Sequence, residues 1–199
     1  TIQAKQKADK EKRKEKVNRS RELIELVKKN GFLLEYLLPE LRGDREVVLA
    51  AVQGNGLALA YASEELRGDR EIALSAVRNF GWALQFALRE FCGDLEVVLA
   101  AVQRNGKTLM YASPELRGHR ELVLAAVKKD GWALEYASRE LRGDQKVVLA
   151  AVKQYGWALP YASDELRGDR NIVLAAVRED GCALQFATEE LRGDQEVVL

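Results

Sequence analysis

The sequence is poor in the residues that most often bind metals or act as nucleophiles. It contains one histidine, His119, and two cysteines, Cys92 and Cys182. The cysteines fall on different copies of a repeat, and in a linear stack of repeats they should lie too far apart for a disulfide. Unpaired cysteines are typical of a reducing compartment, so we expect an intracellular protein, in the cytoplasm or in an organelle interior.

The sequence also lacks an excess of charge and any long apolar run. Its 31 Lys and Arg balance 31 Asp and Glu, so the whole molecule has no field that attracts nucleic acid or a membrane. No apolar run approaches the ~20 residues of a membrane span, and no signal-peptide core is present. The charge is nevertheless uneven, because residues 1–21 carry nine Lys or Arg and three Asp or Glu. This segment is suited to contact an acidic surface.

Catalytic and nucleotide-binding motifs are missing as well. There is no GxGxxG, no P-loop and no paired-carboxylate motif. His119 occupies a position that is Asp in the other copies of the repeat, which indicates drift at a helix cap. Cys92 and Cys182 have no neighbouring base that would activate a thiol. We therefore predict no enzymatic activity, no cofactor and no metal.

What the sequence does contain is a 25-residue repeat. Regular copies occupy residues 41–65, 66–90, 91–115, 116–140, 141–165 and 166–190, between a degenerate copy at 16–40 and a partial copy at 191–199. The array therefore spans residues 21–199, after a Lys-rich extension at 1–20 that is helical or disordered. The chain starts without Met and stops inside a copy, so both ends look like the limits of a fragment or of a processed protein.

Each copy predicts two short antiparallel helices. Asp44 is a good N-cap for an apolar helix at about 45–55, and Gly56 is expected to close it in a left-handed conformation. A second apolar stripe predicts a helix at about 57–67, which Gly68 terminates. The fold class is therefore an all-α solenoid of tandem two-helix repeats. The positions to which we assign a structural role are Gly43, Asp44, Gly56, Glu65, Arg67 and Gly68.

Two charged rows run through the copies. Glu recurs at the position of Glu65 in every copy, and Arg recurs at the position of Arg67 except at Cys92. We expect ion pairs or hydrogen bonds within or between repeats. An Arg row can instead follow nucleic-acid phosphates, but the acidic row two residues away disfavours that. The Arg-Gly-Asp tripeptide occurs five times, yet its Gly and Asp serve as helix end and helix cap, which disfavours integrin-type adhesion.

The pattern D-x-E-V-V-L-A-A-V-x-x-x-G-x-A-L-x-Y-A-S-x-E-L resembles an uncharacterised family of tandem helical repeats, a domain of unknown function about two units long. The resemblance covers residues 41–199 and, loosely, 16–40. It implies an α-helical array without an established activity and without catalytic residues to transfer. The family occurs in bacteria, including host-associated ones, and in unicellular algae such as dinoflagellates.

The positions at which the copies disagree, around residues 53–57, 60 and 64, are the candidates for recognition. Aromatic side chains with mixed polar neighbours are typical interface anchors. The alternative is that the tryptophans only cover the seam between adjacent repeats. The residues that we predict to bind a protein partner are Phe80, Trp82, Gln85, Lys107, Met110, Trp132, Glu135, Tyr155 and Trp157.

We expect a non-catalytic scaffold or adaptor for protein–protein interaction, or a peripheral subunit of a larger assembly. One alternative is an RNA-binding repeat protein that uses the basic N-terminal segment, although the chain lacks the consistently basic row that such proteins need. Another alternative, suggested only by the distribution of the family, is a host-directed effector or a subunit of an algal complex.

Overall fold

The computed structural model describes residues 2–194, with the side chains of residues 11, 13–15 and 17–194. Every regular element in this range is a helix, so the predicted all-α class is confirmed. The chain forms two compact units, Thr1–Ala87 and Leu88–Leu199. In each unit the tandem helical repeats stack in sequence order, which is the predicted solenoid arrangement. Residues 195–199 of the partial repeat lie outside the described residues.

The N-terminal helix, Ile2–Lys29, runs without a break from the Lys-rich extension into the degenerate first repeat. Its last turns pack against the helix Arg45–Gly54, and Val27 is fully buried there. Gly54, the one glycine that departs from the two glycine positions of the repeat, lies at this contact. A Cβ on Gly54 would be 2.1 Å from the carbonyl oxygen of Lys28. The close approach of the two backbones therefore requires glycine.

Each regular repeat contributes three helical segments. The long α-helices are Arg45–Gly54, Arg70–Asn79, Leu95–Arg104, Arg120–Lys129, Gln145–Gln154 and Arg170–Glu179. The 3₁₀ helices are Gly31–Tyr36, Gly56–Tyr61, Gly81–Phe86, Gly106–Tyr111, Gly131–Tyr136, Gly156–Tyr161 and Gly181–Phe186. The short α-helices are Pro39–Arg42, Glu64–Arg67, Pro114–Arg117, Arg139–Arg142, Asp164–Arg167 and Glu189–Arg192, and a 3₁₀ helix, Arg89–Gly93, takes this place once.

The long helices form where an acidic cap precedes an apolar run. Oδ1 of Asp44 accepts hydrogen bonds from the backbone N–H groups of Glu46 and Val47, at 3.0 and 3.2 Å. Such a cap stabilises a helix by about 0.5–2 kcal/mol. Val48 and Val52 behind it are fully buried, and each contributes roughly 1.5–3 kcal/mol from the removal of apolar surface from water.

The second predicted helix is not continuous, so the predicted bounds at 57–67 are wrong. A 3₁₀ helix ends at Tyr61, and Ala62 is extended, with φ −68° and ψ 156°. The N–H of Ser63 donates to the carbonyl oxygen of Arg42 at 2.9 Å, at the end of the preceding short helix. Because this donor bonds to another segment, it cannot continue a local helix. Equivalent bonds join Ser113 to Cys92, Ser138 to Arg117, Ser163 to Arg142 and Thr188 to Arg167.

The predicted left-handed turn at Gly56 is also wrong, because no glycine among residues 2–194 has a positive φ. Gly56 is the first residue of a 3₁₀ helix and is buried against the next long helix. A Cβ on Gly56 would be 2.3 Å from the carbonyl oxygen of Ala76. The requirement for glycine at this position is therefore one of space between repeats.

The repeats pack as two layers within each unit. Long helices contact the long helices of the adjacent repeats, and 3₁₀ helices contact the neighbouring 3₁₀ helices. The side chains of Leu59, Leu109, Leu134 and Leu159 are fully buried between the layers. The short helices contact the long helices that follow them. This arrangement places the start of each 3₁₀ helix beside the same position of the next repeat.

Candidate partner-binding surface

Lys107, Trp132 and Trp157 occupy the second position of successive 3₁₀ helices in the unit Leu88–Leu199, and each is half-buried. Nζ of Lys107 lies 5.1 Å from the centroid of the Trp132 ring, a cation–π distance that contributes roughly 0.5–1 kcal/mol at an exposed site. The same Nζ is 4.0 Å from Oδ2 of Asp130. We call the aromatic residues Trp132, Tyr155 and Trp157, together with Lys107 beside Trp132, the aromatic row.

Each tryptophan of the aromatic row packs on an aromatic ring of the next repeat. The ring centroid of Trp132 lies 5.5 Å from that of Tyr155 and 5.7 Å from that of Tyr161. The rings of Trp157 and Phe186 are 5.3 Å apart in an edge-to-face arrangement. Such pairs contribute about 0.5–1.5 kcal/mol beyond their area burial. The tryptophans therefore cover the seam between repeats, and each leaves part of its surface in contact with solvent.

The indole nitrogens have acidic partners. Nε1 of Trp132 donates to Oε2 of Glu135, and Nε1 of Trp157 donates to Oδ2 of Asp180, both at 2.7 Å. The hydrogen bond from Trp157 is the main reason why the pKa of Asp180 lies below its usual range. These bonds fix the ring orientations, so the aromatic row is preorganised.

Tyr155 and Met110 complete the predicted residues of this unit. Tyr155 is 38% exposed and stands where Asn105 and Asp130 cap their 3₁₀ helices, but it makes no side-chain cap. Met110 is half-buried, and its carbonyl oxygen accepts a hydrogen bond from Nη2 of Arg117. Tyr155 thus gives up the side-chain cap of its 3₁₀ helix, and its ring packs on Trp132 of the preceding repeat instead.

In the unit Thr1–Ala87 the equivalent positions hold Phe80, Trp82 and Gln85. Phe80 is 41% exposed, and it also takes the place of a capping residue without making a cap. Nε2 of Gln85 donates to the carbonyl oxygen of Trp82 at 3.1 Å. Phe32 and Tyr61 form the seam contact of this unit, with ring centroids 6.4 Å apart.

The two charged rows do not pair with each other, and no ion pair among residues 2–194 joins them. The Glu side chains are exposed at the start of the short helices. The backbone N–H of Glu140 and then the hydroxyl of Ser138 hold the pKa of the Glu140 carboxyl below its usual range. The Arg side chains are mostly half-buried, and Arg117 donates from Nε to the carbonyl oxygen of Ala112 at 3.0 Å.

The ion pairs that connect the starts of adjacent long helices involve basic residues that the sequence analysis missed. Arg45 pairs with Asp69 and with Glu71, and Arg120 pairs with Asp144. The cation follows one helix cap, and the anion is the cap of the next long helix, 24 residues later. The sequence contains a signal for these pairs, because the residue after the helix cap is basic in four of seven copies, at Arg45, Arg70, Arg120 and Arg170.

His119 caps its helix less completely than Asp does. Its Nδ1 accepts one hydrogen bond, from the N–H of Leu122 at 3.3 Å, and lies 3.6 Å from Oε2 of Glu121. Leu95 stands where Arg45 and Arg120 supply the cation to the next cap. The pair of repeats joined at these positions therefore lacks both the acidic cap and the cation that would pair with it. Within residues 2–194, no cluster of His, Cys, Asp and Glu has the geometry of a metal site.

Both cysteines are free thiols. Cys92 is half-buried, and its burial raises the pKa of the thiol. Cys182 is exposed at the position that holds tryptophan in the two preceding repeats. Of the helices in the described part of the chain, none has the length and apolar character to cross a bilayer.

Each repeat has three helical segments, a glycine packed against the backbone of the next repeat, and a capping residue that in several copies also pairs with the preceding repeat. These features define a tandem-repeat protein of the all-α class. The chain belongs to the family described as "Domain of unknown function (DUF4116)", which matches residues 20–67, 69–117, 119–167 and 169–199. Each complete match covers about two of the 25-residue repeats, and the predicted family is confirmed. No curated protein and no solved structure matches the chain.

Proposed function

We propose that the protein is a non-catalytic scaffold or adaptor that binds a protein partner through the aromatic row, as a subunit of a larger assembly. The observation that carries this proposal is the half-exposed, preorganised surface of Lys107, Trp132, Tyr155 and Trp157. Interface hot spots are enriched in Trp, Tyr and Arg on rigid supports, because rigid side chains lose little entropy on binding.

The N-terminal helix offers a second contact, to an acidic surface of the partner. Arg13, Lys14 and Arg21 surround Val17, which is 51% exposed. Long basic side chains around an apolar residue suit an acidic protein surface with an apolar centre. Because exposed charges are screened by salt, this contact would weaken at high ionic strength. The two free thiols support an intracellular location for the complex.

The test replaces the aromatic row with residues that other copies of the repeat already use. Trp132→Leu and Trp157→Leu introduce the residue of Leu57, and Tyr155→Asn introduces the capping residue of Asn105. The seam stays covered, and a cap is gained. Affinity purification from the native source with quantitative mass spectrometry compares this triple variant with the wild-type chain.

We expect proteins that co-purify with the wild-type chain to be lost from the triple variant. The matched control is Gln145→Arg, which changes a surface residue of the same unit outside the aromatic row and should retain them. A photo-crosslinking residue at position 155 should form an adduct with one of the same proteins. An unchanged set of proteins with the triple variant would rule out the aromatic row as the binding surface.

A further inference from the structure

A cleft of about 320 Å³ lies between two consecutive short helices, Arg139–Arg142 and Asp164–Arg167. Three of the residues that line it are arginines, and one is acidic, so the lining carries a net charge of +2. The main lining side chains are those of Arg139, Arg142, Tyr161, Ser163, Asp164 and Arg167. The cleft belongs entirely to the unit Leu88–Leu199.

The arginines of this cleft depart from a local pattern that the next two repeats share. In the next two short helices an acid precedes the row arginine by three residues, and Arg167 pairs with Asp164 while Arg192 pairs with Glu189. The same position before Arg142 holds Arg139. Like charges at this helical spacing repel by about 0.2–0.5 kcal/mol, where opposite charges attract. A local cost without a structural gain marks a functional position.

The positive charge of the cleft is not neutralised from within. Asp164 is already paired with Arg167. The pKa of the Glu140 carboxyl is lowered first by its own backbone N–H and by the hydroxyl of Ser138, and to a smaller extent by the charge of Arg139. In the described residues, Arg139 and Arg142 form no ion pair. The Nε atoms of Arg142 and Arg167 are buried without a hydrogen-bond partner, as are those of Arg42 and Arg67 at the same repeat position, and only Arg142 and Arg167 line this cleft. The cleft therefore presents unused guanidinium donors.

We propose that the cleft binds a phosphomonoester dianion, presented as a phosphorylated side chain of the protein partner. A dianion neutralises the net charge of the lining, whereas a carboxylate leaves one positive charge. Guanidinium groups bind phosphoryl oxygens through paired hydrogen bonds. The volume is at the small end of ligand pockets and suits one side chain.

The position of the cleft connects it to the aromatic row. Tyr161 lines the cleft, and its ring centroid is 5.7 Å from that of Trp132. One partner segment can therefore contact the aromatic row and place a phosphoryl group in the cleft. In its assignment to a protein partner, the inference rests on the proposed function.

A nucleic-acid backbone fits the site less well. Such a backbone carries one negative charge per phosphate at regular intervals, so it needs cations at the same position of successive repeats. In this chain the next two repeats have Asp164 and Glu189 at the position of Arg139. The exposed Glu row lies on the same short helices. The positive charge is concentrated in one cleft.

The experiment follows the Nε–Hε resonances of Arg142 and Arg167 by NMR in the full chain. The probes are an alanine pentapeptide with central phosphoserine, the same peptide with glutamate or serine, inorganic phosphate, and a single-stranded oligonucleotide. We expect saturable shifts with the phosphoserine peptide and at least tenfold weaker binding of the glutamate peptide. Arg139→Glu introduces an acid where the next two repeats have Asp164 and Glu189, and it should weaken phosphopeptide binding at least tenfold.

The matched control is Arg89→Glu. Arg89 occupies the same repeat position as Arg139, but Cys92 replaces the row arginine beside it, so phosphopeptide binding should not change. Equal binding of the glutamate peptide, unchanged binding to Arg139→Glu, or tighter binding of inorganic phosphate or of the oligonucleotide would overturn the proposal. If the phosphopeptide fails while partner capture still depends on the aromatic row, only this inference fails. If capture is independent of the row but the cleft binds the peptide, the proposed function fails.

Discussion

Arg120 and Asp144 form a two-point link between adjacent repeats. Nε of Arg120 donates to Oδ2 of Asp144 at 2.9 Å, and Nη2 donates to Oδ1 at 3.2 Å. Oδ1 also accepts the N–H groups of Lys146 and Val147, at 2.9 and 3.0 Å. One carboxylate therefore caps its own helix and holds the preceding repeat.

Installing this link where it is absent should stabilise the unit Leu88–Leu199. The double variant Leu95→Arg, His119→Asp is expected to raise the free energy of unfolding by about 1–2 kcal/mol. A half-exposed ion pair contributes about 0.2–1 kcal/mol, and a better cap roughly 0.5–1 kcal/mol. Urea denaturation of the double variant and both single variants measures the coupling. The coupling should shrink at high salt, and the absence of coupling would contradict an ion pair at this position.

The same link predicts how stability depends on pH. Hydrogen bonding to Arg120 is the main reason why the pKa of Asp144 is lowered in the folded protein. Stability from a depressed carboxyl pKa is present above the unfolded value of about 3.9 and is lost as the pH falls through the folded pKa. Asp144→Asn keeps a capping residue but removes the charge. The difference in melting temperature between wild type and Asp144→Asn should therefore begin to shrink near pH 3.9 and disappear once the pH is below the folded pKa of Asp144. A constant difference from neutral to acidic pH would contradict this role.

Alanine substitution at the two glycine positions of the repeat should have different effects on the free energy of unfolding. A Cβ on Gly131 would lie 2.4 Å from the carbonyl oxygen of Ala151, whereas a Cβ on Gly143 meets nothing nearer than 3.4 Å. Overpacking against backbone typically costs about 1–3 kcal/mol. We expect Gly131→Ala to lower the free energy of unfolding by roughly 2 kcal/mol or more. Gly143→Ala should be neutral or stabilising by up to ~1 kcal/mol, because it restricts the unfolded chain. Equal effects in thermal denaturation would refute the spacing argument.

Asn79 joins two repeats through its side-chain amide. Oδ1 accepts the N–H of Gly56 at 2.8 Å, and Nδ2 donates to the carbonyl oxygen of Gln53 at 2.9 Å. Asn79→Ala leaves both backbone groups without this partner and should cost about 1–2 kcal/mol in urea denaturation. Gln154→Ala, at the equivalent exposed position of another repeat, is the control and should change stability by less than ~0.5 kcal/mol. A loss of stability equal to that of the control would show that the hydrogen bonds of the Asn79 amide are not stabilising.

Much of the fold is predictable because the period and the caps are local signals. The role of Asp44 follows from its place before an apolar run, and the bounds of the first helix follow from the same pattern. The break at Ala62 is not predictable in this way, since it depends on the bond from Ser63 to Arg42. The sequence predicts a helix end at Gly56 but not the reason for glycine there, because the contact with Ala76 joins two repeats.

The candidate site is predictable only as a set of variable positions. The sequence indicates that Trp132 and Trp157 lie on one surface, but the partners of their indole nitrogens depend on side-chain geometry. Arg139 stood among the variable positions without an assigned role. Its importance becomes visible only when the next short helix brings Arg167 to the same cleft.

The backbone bonds between consecutive short helices have a consequence for how such a chain can change over generations. The donor N–H of Ser63 and the acceptor of Arg42 belong to the main chain, so the bond does not depend on the side chains, except that proline at position 63 would remove the donor. We expect an in-frame duplication or deletion of one 25-residue segment that carries Ser or Thr at this position to recreate the same bond at the new junction. The array can therefore lengthen, shorten and diversify its surface by gene duplication, while the joint between neighbours stays the same.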